Sequence, residues 1–171
     1  MFRVFPSALA GLLLCSCAST PLHPPTTAPS VDLGRYAGEW YEIESFPNWF
    51  QRGCEGSRAV YTPLPDGTIK VVNTCDRRGK SASVEGIARV VPDSKNSKLK
   101  VRFFGPFEGD YWILDLDPNY RWAAVGSPNR RYLWILSRTP QIDPSLLGRI
   151  RARLAAQGFD VSRLRPSTPA S

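Results

Sequence analysis

Between Glu39 and Arg138 the chain breaks into eight short apolar and aromatic runs, and no two of them are separated by a segment long enough for a crossover helix. The runs fall near residues 39–46, 56–62, 68–75, 82–91, 98–104, 109–116, 120–126 and 131–138. Turn formers stand between them: Asn48 to Gly53, Pro65-Asp66-Gly67, Arg77-Arg78-Gly79, Pro92 to Asn96, Gly105-Pro106, Asp117-Pro118-Asn119 and Ser127-Pro128-Asn129. Runs of this length bounded by Gly, Pro, Asn and Asp read as β-strands. Parallel neighbours would need helix-sized connections. The spacing therefore excludes a βαβ sheet and leaves an antiparallel sandwich or an up-and-down barrel in a single domain.

One helix follows the strands. Asp143 caps it, Pro144 suits its first turn, and Leu146, Leu147, Ile150 and Leu154 recur at helical spacing before Gly158 ends it. Arg149 and Arg153 fall on the other side. A ninth short strand is expected at 159–164.

The N-terminus reads as an address. Arg3 provides a positive start and Ala8 to Leu14 a short apolar stretch, the pattern of a secretory signal peptide over residues 1–16. Leu14-Cys15-Ser16-Cys17 resembles a bacterial lipobox, which implies cleavage before a lipid-bearing Cys17. Ala18 follows where lipoproteins retained in the inner membrane often carry Asp, so the resemblance implies sorting to the outer membrane. Ser19 to Ser30 holds four prolines and no charge, which predicts an extended, unstructured tether over 17–31. The folded domain is expected at 32–165 and a disordered tail at 166–171.

The cysteines then divide cleanly. Cys15 leaves with the signal peptide and Cys17 takes lipid, so Cys54 and Cys75 remain for an oxidising compartment. They lie at the far ends of a predicted hairpin around Pro65-Asp66-Gly67, roughly opposite each other, and a disulfide is expected. The alternative is two free buried thiols.

The net charge is +7, one less once Arg3 is removed. Basicity alone would allow nucleic acid or an anionic surface. An exported, membrane-anchored chain does not meet nucleic acid. The only histidine, His23, sits in the tether, so His-based catalysis and His-rich metal sites have no residues to build them. Glu42/Glu44 and Asp115/Asp117 are carboxylate pairs two residues apart, expected on one face of a strand, with salt bridges and turn hydrogen bonds as their role.

Three separated segments resemble the lipocalin family. Gly38-Glu39-Trp40 resembles its G-x-W motif, and Leu133-Trp134-Ile135-Leu136-Ser137-Arg138 its third motif, ending in Arg. Asp117-Pro118-Asn119-Tyr120 occupies the turn of the second motif, with Leu116 and Pro118 departing from the usual T-D-Y. Phe103-Phe104-Gly105-Pro106-Phe107 and Tyr132 to Pro140 are similar to the bacterial outer-membrane branch. Tyr41-Glu42-Ile43-Glu44 and Tyr111-Trp112-Ile113-Leu114 are similar to its apolipoprotein D-like relatives.

The resemblance implies an all-β, eight-stranded antiparallel up-and-down barrel with the C-terminal helix packed outside. Gly38, Trp40 and Arg138 would close one end, with Arg138 over the Trp40 face. Alternation along the strands turns Glu42, Ala59, Tyr61, Val71, Asn73, Ala88, Phe103 and Trp134 inward, and the resemblance adds Tyr111 and Ile113, as the ligand pocket. Gly86 and Ala88 would leave space, and Tyr61, Tyr111 and Asn73 would meet a headgroup near the mouth. Glu42, a carboxyl inside that wall, needs a partner or a raised pKa.

The implied function is non-enzymatic binding, carriage or storage of fatty acids such as palmitate, lysophospholipids or similar membrane lipids. It would take place on the periplasmic face of the outer membrane, with an envelope-maintenance role. No cofactor or metal is implied, and a homodimer is left open. Alternatives are a carrier of a tetrapyrrole, isoprenoid or quinone, a structural envelope protein with a filled barrel acting through a protein partner, and a lipid-converting enzyme using Tyr111 or Glu42.

Overall fold

The computed structural model describes residues 23–168; the signal peptide and Cys17 lie outside them. A four-residue helix α1 (Leu33–Tyr36) leads into β1 (Gly38–Ser45), β2 (Glu55–Pro63), β3 (Ile69–Arg77), β4 (Lys80–Val90), β5 (Lys98–Phe104), β6 (Phe107–Leu116), β7 (Trp122–Gly126) and β8 (Leu133–Ser137). Each strand pairs antiparallel with the next, and β1 pairs with both β8 and β2, which closes the sheet. The expected eight-stranded up-and-down barrel is the observed one. Connections β1–β2, β3–β4, β5–β6 and β7–β8 share one end, the rim. Helix α1 and the other turns share the floor.

Alternation builds two cores from the same strands. Inward residues from Trp40 to Leu136 pack inside the barrel. Outward Phe46, Leu114, Trp122, Leu133 and Ile135 pack against Ile150 and Leu154 of α2 (Pro144–Ala156) and against Phe159 and Leu164. Fully burying each such side chain contributes about 1.5–3 kcal/mol. The Asp143 side chain accepts from the Leu146 N–H at 2.8 Å and caps α2. At the other end Gly158, with φ +84°, lets the Phe159 N–H return to the Leu154 carbonyl.

Three expectations are corrected. No strand spans 159–164. Phe159 and Leu164 cover the outer core, a short 3-10 turn (Val161–Arg163) joins them, and the ninth strand is β9 (Arg165–Pro166), paired with Glu44 and Ser45.

The tail does not come loose at 166: the Ser167 N–H donates to the Ile43 carbonyl, and the Gly56 N–H to that of Thr168. An unsatisfied β1 edge recruits it.

The tether is not free over 23–31. Pro25, Ala28 and Val31 are buried. Val31 N–H donates to Lys95 O beside the floor, Ala28 N–H to Ile113 O higher up β6, and Arg130 of the β7–β8 rim loop donates to His23 O. Proline-rich composition disfavours a core of its own but does not prevent docking on one already formed.

Candidate functional site

The floor is closed by one arginine. The Arg138 guanidinium lies 3.8 Å from the Trp40 ring centroid. It donates to the carbonyls of Glu39 (2.7 Å), Arg35 (2.8 Å), Tyr36 and Tyr120 (both 3.2 Å). Trp40, without exposed surface, donates its indole N–H to the Tyr36 carbonyl at 2.8 Å. Gly38 turns the chain into β1 at φ +93°, a conformation that favours glycine, with Arg138 directly over it. The departing second motif keeps its acidic residue at work. Asp117 accepts from the Asn119 and Arg121 amides and from the Arg121 guanidinium, which holds its carboxyl below the usual range.

The ten sequence-selected wall residues come together on the inner face or beside it. Ala59, Tyr61, Val71, Ala88 and Ile113 are buried there, and Phe103, Tyr111 and Trp134 pack against them while keeping accessible surface. Asn73 sits two residues beyond Val71 on the same face of β3 and is also partly accessible. Glu42 accepts from Ser45 Oγ at 2.8 Å and Gln51 Nε2 at 2.7 Å, and Gln51 Oε1 in turn accepts from the Trp134 indole at 3.1 Å. Both partners of Glu42 are neutral, and burial pushes its carboxyl pKa up.

Two details differ from expectation. Gly86 leaves no gap, because the Phe103 ring lies where a Cβ would go, 2.6 Å away. Tyr61 and Tyr111 are not at the mouth. The Tyr111 hydroxyl lies 2.8 Å from those of both Tyr61 and Tyr36, just above Trp40. Burial pushes the Tyr61 hydroxyl up to about 12 and those of Tyr36 and Tyr111 well above 10, so all three stay protonated.

Tyr36 and Gln51 are the site residues that strand alternation misses, because each lies outside a strand. The carboxylate pairs are also split: a bulge between Glu42 and Glu44 sends Glu44 outward to Arg151, while Asp115 takes Arg153. Cys54 and Cys75 are joined by a disulfide at the rim end of β2 and β3.

The rim is aromatic and basic. Trp49 (73% exposed), Phe50 (43%), Phe104 (68%) and Phe107 (80%) project from the β1–β2 and β5–β6 loops. A depression of about 240 Å³ runs between Trp49, Tyr132, Arg131 and Arg163. Another of about 680 Å³ is lined by Arg52, Gly53, Arg77, Arg78 and Lys80. The arrangement is a barrel closed below, mostly apolar within and ringed above by aromatic and basic side chains.

The sequence family described as the lipocalin-like domain matches residues 31–169. The chain is a lipocalin. Temperature-induced lipocalin-1 of Arabidopsis thaliana is 43% identical over 150 residues, 82% of this chain and 80% of that one. The outer membrane lipoprotein Blc of Escherichia coli strain K12 is 41% identical over 160 residues, 92% and 90% of the two chains. Rat apolipoprotein D is 32% identical, over 88% and 81%. Insecticyanin from the tobacco hornworm Manduca sexta shares the fold at a TM-score of 0.70 and 20% identity, covering 89% of this lipocalin and 86% of insecticyanin.

Proposed function

We propose that this lipocalin binds and carries, or stores, fatty acids, lysophospholipids or similar membrane lipids. It is held by an acylated Cys17 on the periplasmic face of the outer membrane and serves envelope maintenance. The observation that carries the reading is the inner wall. It is mostly apolar from Trp40 upward, several of its side chains keep accessible surface, and exposed aromatic residues ring its upper end. Its relatives named outer membrane lipoproteins, and the Leu14 to Cys17 run, support the anchor.

The mechanism is reversible burial without bond making. Each methylene leaving water contributes about 0.8 kcal/mol, so roughly ten contribute on the order of 8 kcal/mol before ordering costs. An anchor carrying more than one acyl chain is durable and keeps the local lipid concentration high.

Native mass spectrometry of the protein purified from a bacterial periplasm without detergent tests this, with extraction and identification of what is bound. A stoichiometric acyl lipid, lost in Phe103→Trp, is the expected result. An empty protein that also takes up neither lysophospholipid nor fatty acid in titration overturns the reading and leaves a filled barrel or a non-lipid ligand.

A further inference from the structure

Resting on the lipid-carrier reading, we infer that the barrel floor receives an uncharged, hydrogen-bond-accepting oxygen at the deep end of the apolar ligand, taken by the Tyr111 hydroxyl. The argument is a proton count. The hydroxyls of Tyr36, Tyr111 and Tyr61 form a chain with two contacts of 2.8 Å. Three hydroxyls carry three protons, and two contacts use two of them. Among the described residues no other partner lies within hydrogen-bond distance of the three. One donor is therefore left over whichever way the chain is oriented.

Accessibility decides where it points. Tyr36 is 2% exposed and Tyr61 5%, whereas Tyr111, from the middle of the chain, keeps accessible surface on the inner wall. With Tyr36 and Tyr61 both donating to it, Tyr111 accepts twice and turns its own proton to the lumen. A buried donor without an acceptor is costly, so an oxygen there is favoured over a methyl terminus.

The charge state follows from what surrounds it. A buried carboxylate needs several donors and a cation. The nearby guanidinium, Arg138, lies against Trp40 with its N–H groups already given to four backbone carbonyls. The floor thus suits a hydroxyl, a carbonyl or a protonated carboxyl. Two sources share that chemistry: a chain oxygenated at its far end and entering tail first, or a fatty acid entering head first in its neutral form.

Displacement of a fluorescent fatty-acid probe from the purified full-length protein, by hexadecanoic acid and by ω-hydroxyhexadecanoic acid, tests the inference. In a pocket without a donor the added hydroxyl weakens binding by roughly ten-fold or more. The wild type is expected to bind the hydroxy acid at least as tightly as the plain acid. Tyr111→Phe is expected to weaken the hydroxy acid at least ten-fold. Tyr120→Phe deletes a hydroxyl that lies outside this hydroxyl chain, where it accepts from the Asp32 N–H, so it keeps the preference. If Tyr111→Phe instead weakens hexadecanoic acid, increasingly as pH falls, the floor oxygen is a head-first carboxyl. A hydroxy acid bound ten-fold more weakly by the wild type, with both affinities indifferent to Tyr111→Phe, overturns the inference and leaves the carrier reading standing. Failure of both acids to displace the probe overturns both.

Discussion

Glu42 is the residue whose protonation the fold most directly controls. Its partners Ser45 and Gln51 are neutral, and burial raises its pKa above the ordinary 4.5. The native state therefore keeps a proton that the unfolded chain has already released, and stability falls as pH rises through that window. Glu42→Gln removes this cost. Its thermal midpoint should exceed the wild type's at about pH 7, and the gain should shrink toward pH 4, where both side chains are neutral. An equal or larger gain at the acid end would contradict the assignment. Trp40 and Arg138 were legible through the motifs that resemble the lipocalin family, and the inward wall because a two-residue period carries the face they fix along a strand. Tyr36 was not, since a residue in a four-residue helix follows no strand period. Nor was the depth of Tyr61 and Tyr111, because alternation names a face and not a height.

At the level of elements, two ion pairs fasten α2 to the barrel, and they are not equivalent. Arg151 pairs with Glu44, which is 3% exposed, while Arg153 pairs with the more accessible Asp115. Arg151→Met strands a buried carboxylate and should cost about 2 kcal/mol in urea denaturation, discounted because Arg151 itself is partly exposed. Arg153→Met should cost under about 1 kcal/mol. Equal costs would mean that burial of the acid is not what matters. The eight strands and α2 could be read from their periods, turn residues and the Asp143-Pro144 cap. The region after Gly158 could not: Phe159, Val161 and Leu164 read as a short apolar run, yet Phe159 and Leu164 cover the outer core between α2 and the barrel. Pro25, Ala28 and Val31 recur at every third residue, as in polyproline II, but that repeat names no surface to dock on, and theirs is made by residues far along the chain.

For the whole molecule, the rim is where the proposed carrier would exchange its cargo. Exposed aromatic side chains flanked by Arg52, Arg77, Arg78 and Lys80 suit an interface between water and anionic lipid. Replacing Trp49 and Phe107 with Ser should slow lipid uptake from anionic vesicles several-fold in stopped-flow measurements, while affinity for a free fatty acid stays within about two-fold. A matching loss of affinity would place those rings in the pocket instead. The segment that climbs from Val31 to His23 has a geometric effect of its own. It delivers the N-terminal chain to the rim loop bearing Arg130 instead of to the floor. From His23 back to Cys17 is only about six residues, a leash of roughly 20 Å at full stretch. An anchor on Cys17 would thus pull on the lip of the vessel and not its base. The search for cargo would become a two-dimensional one, with the opening never straying far from the leaflet.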